Sequence, residues 1–392
     1  MQNNTQTKTK LIPKLRFKEF DDDWMKKKLR NVSDFLDSKR IPLSQTERKT
    51  KKGKYPYYGA SGVIDFVDDY IFDGEYILLG EDGANILMRN SPLAFLATGK
   101  FWVNNHAHVI LAKESNKFLA ESLERIKYDK YNTGTAQPKL NAEVCKNILI
   151  NIPSLKEQQK IATFLTAVDT KIQQLTKKKT LLEAYKKGIM QQLFSQQLRF
   201  KNDDGGSFPD WEEKKLGEIG KIITGKTPTT SKEELWNGDI QFITPTDIEE
   251  NKKFQKETKR TIVRTKNINI LPVNTIVYTC IASIGKMCIT TKESITNQQI
   301  NSIIPNKNYN FEYVYYYLLF LTPKIKSTQA NTTLPIINKT DFSKFKIKIP
   351  SLKEQQKIAT YLSAIDKKIK NVQTQIEKTQ TFKKGLLQQM FV

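Results

Sequence analysis

GKIITGKT (Gly220–Thr227) has the spacing G-x-x-x-x-G-K-[ST], in which backbone amides cradle phosphates and the lysine reaches the terminal ones. That chemistry needs a core strand before the loop and a helix after it. Here KIIT reads as a strand in its own right, and Pro228 disfavours the helical region at Thr227, so nucleotide binding is not expected. Asp210 with Glu212 and Lys214 imitates the acidic set of a nuclease, but almost no chain separates them and they cannot sit on paired strands around a metal. His106 and His108 are the chain's 2 histidines. On one strand they would face the same way, as a metal site requires, yet no third ligand is adjacent. They are read as structural or contact residues. No NPPY-like tetrapeptide, no G-x-G loop after an opening strand and no nucleophile–base–orienter set appears. The chain reads as a non-enzymatic binder, with no metal and no cofactor of its own.

What it binds is indicated by charge. The 64 Lys+Arg against 41 Asp+Glu give a net charge of +23, which favours a polyanion, because each lysine or arginine on a phosphate releases condensed counterions. Hydrophobic content of 38% and charged content of 27% suit a soluble globular chain. The longest apolar run, VYYYLLFL (Val314–Leu321), is too short to span a membrane. MQNNTQTKTK is polar and is not expected to act as a secretory signal. Cys145, Cys280 and Cys288 form no CxxC pair, so a reducing cytoplasm is expected.

The elements that position these residues are organised by a repeat. IPSLKEQQKIATFLTAVDTKI (Ile152–Ile172) recurs as IPSLKEQQKIATYLSAIDKKI (Ile349–Ile369), offset by 197 residues and differing at 4 of 21 positions. The same offset matches YKKGIMQQLF (Tyr185–Phe194) with FKKGLLQQMF (Phe382–Phe391). Each copy reads as a helix. Ser154 with Glu157, and Ser351 with Glu354, have capping-box spacing, and a proline precedes each serine. Apolar residues then follow at 3–4 spacing: Ile161, Leu165, Val168, Ile172, Leu175, Leu182, Ile189 and Leu193 in the first copy. The second has Ile358, Leu362, Ile365, Ile369, Val372, Ile376, Leu386 and Met390. A seam sustained for about five heptads predicts a coiled coil, and two such helices around a whole domain predict an antiparallel pair with an internal pseudo-twofold axis. Lys179 and Lys186 interrupt the first seam. Gly188 and Gly385 each cost a helix roughly 1 kcal/mol against alanine, so they are expected to admit another backbone. A seam constrains few positions per heptad, yet Lys156, Glu157, Gln158, Gln159 and Lys160 recur identically as Lys353, Glu354, Gln355, Gln356 and Lys357. An outward face written twice predicts docking of two copies of one partner.

Mixed α/β domains precede the helices. Their ends match: LRFKEFDDDWMKKKL (Leu15–Leu29) with LRFKNDDGGSFPDWEEKKL (Leu198–Leu216), and TGTAQPKLN (Thr133–Asn141) with ANTTLPIIN (Ala330–Asn338). Their interiors differ. YPYYGASGVIDFV, EYILLG and FWVNNHAHVILA read as strands in the first; DIQFITPTDI, NTIVYTCIASIGKMCIT and NSIIP do so in the second, where Phe311–Leu321 reads as a buried helix. The expected division is a first domain over 1–152, a helix over 153–196, a polar linker and second domain over 197–349, and a helix over 350–392.

This arrangement resembles the specificity subunit of Type I restriction-modification enzymes, over nearly the whole chain. The residues that carry the resemblance are the two IPSLKEQQKIA segments, Thr224–Ile248, ASIGKMCI (Ala282–Ile289) with NQQINSIIP (Asn297–Pro305), and YPYYGASG (Tyr55–Gly62) with NNHAHVI (Asn104–Ile110). It implies two target-recognition domains, each reading half of a bipartite site in double-stranded DNA. It also implies helices that act as spacer and dock two methyltransferase subunits, through which restriction subunits with nuclease and motor join. S-adenosylmethionine, ATP and magnesium would belong to those partners. A coiled-coil DNA-binding regulator without enzymatic partners is the alternative.

Sequence is read at base edges, with Lys/Arg matched to guanine and Asn/Gln to adenine, whereas phosphate contacts add affinity alone. The polar, unrepeated segments are therefore the expected DNA contacts. In the first domain these are Lys51, Lys52, Lys54, Tyr57, Tyr58, Ser61, Lys100, Asn104, Asn105 and His106. In the second they are Lys226, Thr227, Ser231, Lys232, Thr246, Lys286, Asn297, Gln298 and Gln299.

Overall fold

The computed structural model describes residues 11–250, 252–265, 268–329 and 336–392. Ala330–Pro335, most of the second closing motif, lie outside the described residues. The chain divides into two compact units, Met1–Thr176 with Thr374–Val392, and Lys177–Gln373. The long helices run Leu155–Phe194 and Leu352–Met390, 40 and 39 residues. Each therefore gives its first half to one unit and its second half to the other.

Within each unit the two helix segments run antiparallel, and the apolar seam is the reason. In the first unit Ile161 and Leu165 share a core with Leu386 and Met390. In the second, Met190, Leu193 and Phe194 share one with Ile358, Leu362 and Ile365. The lysine that breaks the seam is paired in both. Lys383 meets Asp169 at 2.8 Å in the first unit, and Lys186 meets Asp366 at 2.6 Å in the second. These are one ion pair at the 197-residue offset, and a charged pair in an apolar seam penalises other registers.

The first unit holds a two-stranded ladder of β1 (Met25–Lys28) and β8 (Leu149–Ile152). It also holds a six-stranded sheet of β2 (Ser33–Phe35), β3 (Lys52–Gly59), β4 (Gly62–Val67), β5 (Phe72–Gly80), β6 (Ala94–Val103) and β7 (Ala107–Ala112). The order is β2-β7-β5-β6-β3-β4, so β4 is an edge. Gly74 (φ +134) faces Gly99 (φ +78) across β5 and β6, a pair of positive-φ positions where a side chain would be strained.

The second unit repeats the small ladder with β9 (Glu212–Lys215) and β18 (Lys346–Ile349). Its main sheet orders β10 (Gly220–Thr224), β17 (Ile300–Pro305), β14 (Ile276–Thr279), β15 (Met287–Thr290) and β12 (Phe254–Gln255). A second sheet orders β13 (Arg260–Ile262), β11 (Trp236–Ile243) and β16 (Ser294–Thr296). The tyrosine-rich segment is the expected buried helix, Phe311–Gln329, with Tyr313 and Tyr316 fully enclosed.

The repeated KEQQK segments are not outward faces throughout. Glu157 is 1% exposed and Glu354 0%. Each serine makes its half of the capping box, Ser154 Oγ and Ser351 Oγ both accepting at 3.4 Å from the glutamate N–H. The glutamate side chain, however, turns away from the cap. Glu157 accepts from Arg16 Nε and Nη2 at 2.8 and 2.7 Å, and from the Trp24 indole at 3.3 Å. Glu354 accepts from Arg199 Nε and Nη2 at 3.2 and 2.9 Å, and from Trp211 at 3.0 Å. Gln158 and Gln355 are buried too, donating to Pro153 O and Pro350 O at 3.1 and 2.9 Å. These four residues are committed to a clamp between helix head and domain opening. That corrects the expectation of a docking face there, which narrows to Lys156, Gln159 and Lys160 in one copy and Lys353, Gln356 and Lys357 in the other. Lys160 and Lys357 also pair with Glu19 (3.1 Å) and Asp203 (2.7 Å).

Candidate DNA interface

In the first unit four loops converge. The β3–β4 tip carries Ser61, and Asn104 N–H donates to Tyr58 O at 3.1 Å, bringing the 104–106 turn beside it. Glu81 N–H donates to His106 O at 2.8 Å, and Asp82 Oδ2 holds His106 Nδ1 at 2.8 Å. Gly83 N–H donates to Pro138 O at 3.0 Å, and Asp82 bridges Lys139, which adds the 132–139 loop. Ser61, Asn105 and His106 are exposed in this cluster.

Two of the expected contacts are buried in it. Tyr57 is 0% exposed, because alternate residues of β3 face inward; its hydroxyl accepts from Leu43 N–H at 2.9 Å and its ring packs with Val67 and Trp102. Asn104 is 6% exposed and shapes the turn, its Oδ1 accepting from His106 N–H at 2.8 Å. Tyr58 is half-buried against Phe95 and Phe101, and burial pushes its hydroxyl pKa up. Lys54 and Lys100 belong to another group. Their ammonium groups lie 5.3 Å from the Tyr55 ring and 4.5 Å from the Tyr70 ring, and those rings are 5.2 Å apart. Lys51 and Lys52 stand at the same end of β3, Lys51 half-buried and Lys52 exposed.

Beneath the cluster sits buried charge. His108, 0% exposed, directs Nδ1 at Asp37 Oδ2 (2.7 Å) and Nε2 at Leu140 O (2.9 Å). Both partners are acceptors, so both ring nitrogens carry protons and the ring is an imidazolium. Burial, the largest single influence, pulls its pKa down, but the hydrogen bonds and charge interactions with Asp37 and Cys145 together outweigh it and raise the pKa to about 10. Burial likewise pushes the Asp37 carboxyl up, while His108, Val109 N–H and Arg40 more than offset it and hold it below its ordinary range. Arg40 spans the network, donating to Glu81 Oε2 at 2.7 Å and Ala107 O at 2.8 Å. His106 lies in the turn before β7, so the two histidines share neither a strand nor a partner. Among the described residues no cluster of three metal-ligating side chains exists.

The second unit builds its cluster from unrelated residues. Gly225 N–H donates to Ile300 O at 3.0 Å, and a Cβ on Gly225 would lie 2.2 Å from Asn297 O, so glycine is required there. Thr227 Oγ1 donates to Gln298 Oε1 at 2.7 Å and Asn297 Nδ2 to Gln299 Oε1 at 2.9 Å. Cys280 N–H donates to Gln299 O at 2.8 Å, which places the 281–286 loop and Lys286 alongside. β11 and β16 are parallel, with Ile243 opposite Thr296, so Thr246 and Asn297 leave the same sheet end. Ser231 and Lys232 precede β11 at its other end. No helix follows GKIITGKT: β10 runs into an extended segment up to a single turn at Glu233–Leu235, which removes the phosphate-loop reading.

The loops 81–83 and 132–139 were not among the expected contacts. Their signal was the closing motif shared by both domains. Lys139 bridges Asp82, and Ile336, its counterpart at offset 197, bridges Ile281. One device closes two clusters of different content.

Two matches to a family model described as Type I restriction modification DNA specificity domain cover residues 21–184 and 209–380. The MjaIX specificity subunit of a Type I restriction enzyme from Methanocaldococcus jannaschii is 35% identical over 194 residues, 47% of this chain but only 44% of that protein. The putative Type I specificity subunit S.HindORF215P of Haemophilus influenzae is 27% identical over 351 residues, 87% of each chain. The crystal structure of the S subunit from M. genitalium superposes with a TM-score of 0.63 at 18% identity, covering 97% of this chain and 99% of that one. A structure describing complex assembly and conformational transition of the type I R-M system gives 0.56 at 18% identity, over 94% and 97%. At such identities the structural likeness is one of fold.

Proposed function

We propose that this chain, which belongs to the family of Type I restriction-modification specificity subunits, reads an asymmetric bipartite site in double-stranded DNA, one half with each loop cluster. The observation that carries this is the pair of clusters closed by the same backbone bridge but lined by unlike residues, Ser61, Asn105 and His106 against Lys226, Thr246, Lys286 and Gln298. Two surfaces with different donors and acceptors read different bases. The +23 net charge supplies the phosphate attraction that any such reading needs.

The chain itself does no chemistry in this reading. Adenine methylation and ATP-dependent cleavage belong to partner subunits in the cytoplasm, which bring S-adenosylmethionine, ATP and magnesium. Two methyltransferase subunits dock on the exposed parts of the repeat, around Lys156, Gln159 and Lys160 and around Lys353, Gln356 and Lys357.

The helices set the distance between half-sites. One heptad added to each lengthens it by roughly 10 Å, about three base pairs of B-DNA. Methylome sequencing of cells carrying the lengthened protein is expected to show both half-sites unchanged and the unread spacer widened. An altered half-site with an unaltered spacer would defeat the proposal.

A further inference from the structure

An apolar side chain lies beside the polar residues of the first cluster. Ile64, the extra residue where the β3–β4 register shifts on edge strand β4, is 55% exposed. The location of Ile64 is fixed by Gly59: a Cβ there would lie 3.2 and 3.3 Å from Ile64 Cγ2 and Cδ1 and 3.6 Å from Asn104 Nδ2. Ile64 therefore stands over Gly59 and beside the 104–106 turn, with Ser61 at the tip of the same hairpin and Asn105 and His106 exposed next to it.

Among the described residues nothing covers the exposed half of Ile64, and β4 has no neighbour strand on its outer side. An apolar side chain left in water gains only by finding apolar surface. Among the groups that base pairs present in the major groove, the C5-methyl of thymine is the apolar one; the rest are donors and acceptors. Ile64 also cannot serve phosphate, having neither charge nor donor.

We propose that Ile64 is a specificity residue that packs against the 5-methyl group of a thymine in the half-site read by the first unit. This rests on the reading of that cluster as a DNA interface. Asn105 and His106 beside it supply the polar contacts, and β-branching at Ile64 holds the methyl-facing surface rigid. The contact is indifferent to the rest of the base, so it selects a pyrimidine by its methyl alone.

The test uses the full chain in complex with its methyltransferase partner, and duplexes carrying the target defined by methylome sequencing. Each thymine of the first half-site, on either strand, is replaced in turn by deoxyuridine, which removes only the methyl. Wild-type complex is expected to bind about fourfold more weakly at one position and unchanged elsewhere. Ile64→Ala is expected to bind the thymine and deoxyuridine duplexes alike, while Ile64→Val keeps most of the difference. Both substitutions are at an exposed site and leave the core intact. Indifference of the wild type to every replacement, a half-site without thymine, or persistence of the difference in Ile64→Ala would overturn the proposal. Loss of all sequence preference would instead overturn the DNA reading on which it stands.

Discussion

At the head of each long helix the two units are copies; at the loop clusters they share a bridge and almost nothing else. Arg16, Trp24 and Glu157 reappear as Arg199, Trp211 and Glu354, with the same donors on the same carboxylate. By contrast, the first cluster rests on the buried Asp37–His108–Arg40–Glu81 network, and the second rests on an amide–hydroxyl set, Thr227, Asn297, Gln298 and Gln299. What is copied is what must fit a helix that is itself copied. What varies lies in and beneath the loop clusters, away from the copied helix heads.

The sharpest way to break this comparison is at the clamps. Glu157→Ala leaves Arg16, whose side chain is 10% exposed, without its partner, and Glu354→Ala does the same to Arg199. Losing one member of a buried pair costs about 3–5 kcal/mol, so each variant is expected to unfold at markedly lower urea. Because the partners are equivalent, the losses are expected to agree within about 1 kcal/mol. A clamp whose loss costs nothing would show that likeness in sequence is not likeness in energy.

A smaller effect separates the units by pH. His108 has no histidine counterpart, since its position at offset 197 is Pro305. Its raised pKa contributes stability that is complete below the unfolded value near 6.5 and disappears as pH climbs through about 10. Urea titrations between pH 6 and 10.5 are expected to show this loss in wild type and to lack it in His108→Gln. The fall should be confined to probes in the first unit, and an equal fall in the second would contradict the assignment.

The smallest effect concerns a feature both units share. Gly188 and Gly385 sit at equivalent helix positions, yet a Cβ at either would meet nothing within 4 Å. The close backbone approach expected of them does not occur among the described residues. Alanine at each is therefore expected to stabilise the isolated protein by up to about 1 kcal/mol, read as a rise in thermal midpoint. If the same substitutions weaken assembly with the partner subunits, the glycines are kept for a neighbour outside this chain.

The long helices were legible in the sequence because a seam at 3–4 spacing needs nothing but itself to be seen, and the strands around Tyr55, Gly80 and Ile276 were legible from β-branched and aromatic runs. The orientation of Glu157 was not. A capping box is a local pattern, and Arg16 lies 141 residues away, so the competing partner shows only when the fold closes. The matched openings LRFK…W were visible, but not what they hold. Similarly, Tyr57 and Tyr58 are neighbours of one type, and only the pleat of β3 decides that the first is enclosed and the second half-buried. Lys226 and Gln298 needed less, since charged and amide side chains in loops at strand ends go to the surface.

The clamp also has a meaning for inheritance. Arg16 and Trp24 lie before the variable part of the first domain, and Glu157 lies after it; Arg199, Trp211 and Glu354 bracket the second in the same way. A gene segment exchanged between those brackets would bring in a new reading surface and leave the old lock closed around it. Crossovers placed between Trp24 and Glu157, or between Trp211 and Glu354, thus pass the fold on whole, and the recognition they deliver can change in a single recombination.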